Sequence, residues 1–264
     1  MPFEYRTNNV RMALQTRFLE VFMAPAPKFS PQEQEELILN AAAECIRETS
    51  LLDFTMSAVS KVACLSMGSI YKHVQCKEDI IFALASRCYA HHSGIFKQVL
   101  TMEELTTPQR IMAISLLCPK KIEVYPFDSH LETFSANELV ISRASALWTE
   151  RMISASESCE ANFNKCMHQA AFSGELKLNG NVQQNIEEIT FGSWALIVGF
   201  QHVSRVMQIR NISNDEAELQ QALAVDSMPI RSLKRFLNSF EWKKPLTDED
   251  ITHVSNVLIE LNLR

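Results

Sequence analysis

The side chains best placed for recognition chemistry lie together in Ser66-Met67-Gly68-Ser69-Ile70-Tyr71-Lys72-His73-Val74. Ile70 and Val74 stand four apart, so on a helix they share one face and can anchor it. Met67, Ser69, Tyr71, Lys72 and His73 are left for the other face. A lysine, a phenol, an imidazole and small side chains are groups that meet phosphate oxygens and base edges in a DNA groove. Gly68 lets such a helix approach closely. Taken singly, Tyr71 reads as a core-edge tyrosine and His73 as a surface or capping histidine. Their order, just after a break at Cys64-Leu65 and between apolar-patterned helices, is what points to a reading helix.

The neighbouring segments supply the elements that would hold it. Ser30-Pro31-Gln32-Glu33 is a helix start with a cap, a proline at the first position and a capping box. Leu37, Ile38, Ala41, Ala42, Cys45 and Ile46 follow at helical spacing to about Glu48. Thr55 caps a second helix with Val59, Val62 and Ala63 inward, and Ser66 caps the third. Lys77-Glu78-Asp79 opens a fourth, its two acids suited to the helix dipole, and it runs to about Val99. Thr107-Pro108 starts another, ending near Cys118-Pro119, and 119–129 reads as an irregular connector. Ser129-His130-Leu131-Glu132 is a second capping box before a helical pattern reaching about Gly174, broken near Ser142. Asn181 begins a long helix to about Arg210. Ser213-Asn214-Asp215-Glu216 is a third capping box, and helices at about 229–242 and 248–262 follow.

Composition agrees with an all-α chain. Only six glycines occur, and no proline falls between Pro31 and Pro108 or between Pro126 and Pro229. Hydrophobic residues make up 47%, which fits a globular core. No segment is apolar over the roughly 18 residues that a membrane span needs, and the N-terminus lacks the apolar run of a secretory leader. The seven cysteines are scattered without a C-x-x-C and read as reduced thiols of a cytoplasmic protein. The net charge of −6 is not the footprint of a non-specific polyanion binder. Residues 31–99 carry six Lys/Arg against eight Asp/Glu, most of the acids lying on the first helix.

The run from Ile38 to Ile81 resembles the DNA-binding head of the TetR/AcrR family of transcriptional regulators. Ile38-Leu39-Asn40-Ala41-Ala42 is similar to its opening helix, and Thr55 through Ala63 to its second. Ser66 through Val74, with Lys77-Glu78-Asp79, is similar to its recognition helix and the start of the fourth. The chain departs from the family pattern at Cys64 and Ser50, where glycine is usual, and at Met67, where a polar residue is common. A left-handed Cys64 costs about 1 kcal/mol. A thioether cannot grip guanine with two hydrogen bonds but can pack on a thymine methyl. The resemblance implies a helix-turn-helix head at 30–77, a helical effector-binding and dimerisation domain at 78–264, and an N-terminal extension at 1–29. It implies backbone contacts from Tyr71 and His73. Phosphate contacts fall to Lys77 and to the helix starts at Thr55, Ser57 and Ser66. Base contacts fall to Met67, Gly68, Ser69 and Lys72.

The rest of the chain offers little chemistry. Cys88 and His92 share a helix face, and Cys159, Cys166 and His168 lie close in sequence, but no second ligand cluster of established spacing accompanies either group. No catalytic pairing, metal site or cofactor motif is present. Trp148, Met152, Phe163, Met167, Phe191 and Trp194 supply bulky apolar surface that packs a helical core; the resemblance implies that they line a pocket for a lipophilic effector, with His168 or His202 as polar anchors. The expected function is an effector-responsive repressor, acting as a homodimer on a palindromic double-stranded DNA operator. A helical ligand- or partner-binding module whose head no longer reads DNA is the alternative, motivated by the acidic balance and Met67. A helical enzyme is disfavoured by the missing catalytic pair.

Overall fold

The computed structural model describes residues 29–177, 180–211 and 221–264. The N-terminal extension up to residue 28 and the capping box at Ser213 lie outside the described residues. Helix α1 spans Pro31–Glu48, α2 Met56–Val62, α3 Met67–His73 and α4 Lys77–Leu100. After these come α5 (Thr107–Leu116), α6 (Pro119–Ile122), α7 (Asp128–Ser135), α8 (Glu138–Ile141) and α9 (Ala146–Phe172). The chain continues through α10 (Val182–Asn211), α11 (Met228–Leu237) and α12 (Asp248–Glu260). A two-residue antiparallel ladder, β1 (Leu176–Lys177) with β2 (Glu241–Trp242), ties the loop after α9 to the loop after α11. The fold is all-α, and no described helix is long and apolar enough to cross a membrane.

The first helices start where their capping residues lie. Ser30 and Glu33 form a reciprocal capping box, and the side chains of Thr55 and Ser66 accept from the amides of Ala58 and Ser69. Val59 and Ala63 point inward from α2, whereas Val62 is exposed rather than buried. In α1 the buried stripe includes Leu39, and Leu37 stays partly exposed. The turn after α2 is a Schellman motif: Leu65 N donates to Ser60 O at 3.2 Å and Cys64 N to Lys61 O at 3.2 Å. Cys64 takes the left-handed conformation this requires, with φ 53°.

Two cores organise the molecule. One gathers α1, α2, α3 and the first half of α4 with Phe127, Leu131, Trp148 and Met152. The other gathers the end of α4 with α5, the end of α9, α10, α11 and α12. Asp79 fastens the first core to α9. It is fully buried, and its carboxylate accepts from Gln75 N at 2.8 Å and Ser145 N at 2.7 Å.

Three expected boundaries are corrected. The helical pattern from 129 breaks twice, at 136–137 and 142–145, because Asn137 caps α8 and Ser145 N turns aside to Asp79. Ser129 is not its cap: the helix begins at Asp128, whose carboxylate instead receives the amides of Val124 and Tyr125. The segment 229–242 is helical only to Leu237. There the Trp242 indole donates back to Leu237 O at 2.7 Å, and Asn238 clamps both backbone groups of Leu246. A short turn of helix, α6, stands in the expected connector.

Asp79→Ala will lower stability by roughly 2–4 kcal/mol in urea unfolding, because two amides lose a charged acceptor in a buried setting; Asp79→Asn, which keeps one carbonyl, will cost less. Cys64→Gly will raise stability by about 0.5–1 kcal/mol by relieving the left-handed strain, with no gain from Cys64→Ala.

Candidate nucleic-acid interface

Helix α3 divides as its spacing predicts. Ile70 and Val74 are 0% exposed and sit in the first core. Gly68, Tyr71 and Lys72 are exposed on the other side, Tyr71 by 49%, and Met67, Ser69 and His73 are intermediate. A Cβ on Gly68 would meet only Ser66 Oγ, at 3.8 Å, so packing within the chain does not require a glycine there. Thr55, Ser57 and Ser66 are exposed at the starts of α2 and α3. The expected contact residues of α2 and α3 therefore lie at the surface of the head.

Lys77, at the start of α4, and His73 also reach other parts of the chain. The Lys77 ammonium donates to Leu52 O at 2.8 Å and lies over the Phe54 ring at 4.7 Å, which leaves further ammonium protons for an outside acceptor. His73 is tied by its backbone: its carbonyl accepts from the Trp148 indole N–H at 2.9 Å, and its Nε2 lies 3.4 Å from Gln34 Oε1. Arg151 stacks over the Trp148 ring at 4.6 Å and pairs with Glu35 at 3.1 Å. The N-terminal turns of α9 thus touch the head at Asp79, His73 and Glu35.

These contacts also bear on charge. Arg87 pairs with Glu36 at 2.6 Å; burial opposes its charge, but bonds to Tyr125 and Glu36 hold the guanidinium above its ordinary value. Arg143 lies 3.6 Å from Glu78. Arg143 and Arg151 thus set two cations against Glu78 and Glu35. Lys61 and Lys72 remain exposed on α2 and α3.

The six residues expected to line one pocket are not brought together. Trp148 and Met152 belong to the first core, under α3. Met167 is in the second core, and Phe163 meets Phe96 edge-on at 5.8 Å. Phe191 and Trp194 are exposed on α10, Trp194 by 54%, and the expected anchors His168 and His202 are exposed as well. Spacing assigned each residue to a helix face but not to the partner that covers it. Helix α10 carries an apolar stripe instead: Phe191, Trp194, Ala195, Val198, Gly199, His202, Val203 and Val206. These fall at i, i+3, i+4, i+7 and onward, and all but the half-exposed Val198 are exposed. The opposite face carries Ile186 and Ile189 into the second core.

Thiol and imidazole chemistry is muted. Burial, then the Asp128 carboxylate, push the Cys88 thiol far above its ordinary value; burial raises Cys159 and Cys76 to about 11. Such thiols stay protonated at neutral pH and are poor nucleophiles. Burial lowers His92 against the upward pull of Asp128. Among the described residues no group of three or more His, Cys, Asp or Glu is placed to hold a metal ion.

No protein-family model and no curated protein matches the chain. Solved structures do match. A TetR-family transcriptional regulator from Cytophaga hutchinsonii is similar with a TM-score of 0.53 and 16% identity, over 83% of this chain and 100% of that one. The reduced form of E. coli NemR is similar with a TM-score of 0.50 and 16% identity, over 81% of this chain and 100% of that one. At such identity the likeness speaks to architecture, and it agrees with the cores and helix order described above: the chain has the fold of the TetR family of transcriptional regulators.

Proposed function

We propose that the chain is an effector-responsive transcriptional regulator, a repressor that binds a palindromic operator as a cytoplasmic homodimer. Residues 30–77 form the reading head and 78–264 the effector-binding and dimerising domain. The observation that carries this reading is the two-sided α3: Ile70 and Val74 fully buried, with Gly68, Tyr71 and Lys72 turned outward. Tyr71, His73 and Lys77, with Thr55, Ser57 and Ser66, take phosphates; Met67, Gly68, Ser69 and Lys72 face base edges. The α10 stripe supports self-association, since a surface helix seldom leaves so regular an apolar row uncovered. Ala195 and Gly199 lie mid-stripe, and a Cβ on Gly199 would meet nothing within 4 Å among the described residues. A second copy packed there would approach closely and present two α3 helices about 34–36 Å apart.

The contacts of α9 supply a route for control. Whatever shifts α9 moves the Trp148 indole on the His73 carbonyl and the Ser145 amide on Asp79. An effector changes operator affinity only through different affinity for the two placements of α9. The acidic balance of residues 31–99 and Met67 on α3 favour a second reading, a helical ligand- or partner-binding module whose head no longer grips DNA.

Selection of duplexes from a random pool tests the choice: enrichment of a palindrome supports the regulator, and no retention at low salt sinks it. On the selected duplex, Tyr71→Ala will weaken binding to every sequence alike, whereas Lys72→Ala will cost about 1–3 kcal/mol at one or two base pairs. Trp194→Glu will turn a dimer into monomers in sedimentation and weaken binding to the full palindrome far more than to a half-site.

A further inference from the structure

Three hydroxyls of the second core are buried without a hydrogen-bond partner among the described residues: Ser115 Oγ on α5, and Thr190 Oγ1 and Ser193 Oγ on α10. These residues are 7%, 9% and 3% exposed. Hydroxyls inside helices commonly return to a carbonyl one turn back, as those of Ser86, Thr149 and Ser158 do here. These three do not. Thr190, Ser193, Ile197 and Phe200 share one face of α10 by their spacing. Ser115 meets that face: with Ile197, Phe200, Ile230 and Leu233 it lines a cavity of about 10 Å³, room for about one water.

Phe236 stands three residues beyond the cavity-lining Leu233 on α11. Phe236 on α11 lies so near Gly192 that a Cβ on the glycine would sit 2.3 Å from its Cζ. The ring therefore presses on α10 at Gly192, the residue before Ser193. It is only partly buried and meets Phe240 edge-on at 5.4 Å, so it can swing toward solvent without passing through the core. Among the described residues no charged side chain lines the cavity, so an ionic ligand there would lose its hydration with no counter-charge from them.

The geometry points to a binding site in the α5–α10–α11 seam for a small neutral molecule, apolar and carrying a hydroxyl or carbonyl. It enters by displacing the Phe236 ring and satisfies the hydroxyls of Ser193, Thr190 and Ser115. This rests on reading the body as the effector-binding half of a regulator, and it names the chemistry of that effector. The seam occupies the face of α10 opposite the exposed stripe, so a molecule wedged there pushes the stripe against whatever covers it.

The test uses 1-naphthol and naphthalene as probes on the full chain, by calorimetry. Phe236→Ala will bind 1-naphthol at least tenfold more tightly than the unsubstituted chain. It will prefer 1-naphthol to naphthalene by about tenfold, the worth of one neutral hydrogen bond. Adding Ser115→Ala, Thr190→Ala and Ser193→Ala will abolish that preference and leave naphthalene binding in place. Binding of neither probe, or a preference that survives loss of all three hydroxyls, overturns the site. Should Phe236→Ala fail to fold, Phe236→Leu and the unsubstituted chain carry the same comparison, with the same two results deciding it. Duplex binding without probe is read separately. A chain that grips a duplex yet shows no hydroxyl preference loses the seam and keeps the regulator reading; the converse keeps the seam and loses the regulator.

Discussion

A helix as short as Met67–His73 has no stability of its own, because nucleation costs more than one or two turns return. Its existence depends on burial of Ile70 and Val74, each worth about 1.5–3 kcal/mol when removed from water. The rest of the head serves that burial. Ser66 supplies the missing N-terminal acceptor, and the Schellman turn at Cys64 brings α3 back across α2. Asp79 holds the turn that leaves α3, and the Trp148 indole satisfies the carbonyl of its last residue. With those ends fixed, the outward face is free to carry side chains chosen for something other than packing.

The parts of this arrangement that were legible in the sequence are those with local signatures. Ser30, Thr55 and Ser66 announce helix starts because the capping acceptor lies within three residues of the amide it serves. Ile70 and Val74 announce a buried face because their spacing is that of one helical turn. Trp148 was not legible as a support of the head: its partner is a backbone carbonyl 75 residues earlier, and a carbonyl has no signature in a sequence. Phe191 and Trp194 were assigned to an interior because bulk and period say that a face is apolar, not whether this chain or another covers it. The end of α11 was overrun because its helical pattern continues past Leu237, where only the tertiary clamp of Asn238 on Leu246 stops it.

Helix α10 presents two different apolar faces. Its inner face packs Ile186 and Ile189 into the second core, and at the edge of the outer stripe Gly192 makes room for the Phe236 ring. Its outer face has the same apolar period, but with Ala195 and Gly199 in mid-stripe and no cover from the described residues. A mid-helix glycine costs about 0.5–1 kcal/mol relative to alanine. At Gly192 that cost has a counterpart inside the molecule, in the seat it gives to Phe236. At Gly199 no such counterpart exists among the described residues, which is why the outer face is read as one that closes on a second copy.

Charge and packing at the head come from the same few side chains. Arg151 is the cation over Trp148 and the partner of Glu35; Arg143 follows α8 and faces Glu78. As stability devices such partly exposed pairs count for little. Their weight lies in the field at the reading surface, where an acid left bare opposes a phosphate backbone over about a Debye length. On the regulator reading, withdrawing the start of α9 would do two things together: release the His73 carbonyl, and uncover Glu35. Both act against holding DNA. A modest displacement of α9 would therefore be felt twice, once in the placement of α3 and once in the potential around it, without requiring any residue of the body to touch the duplex.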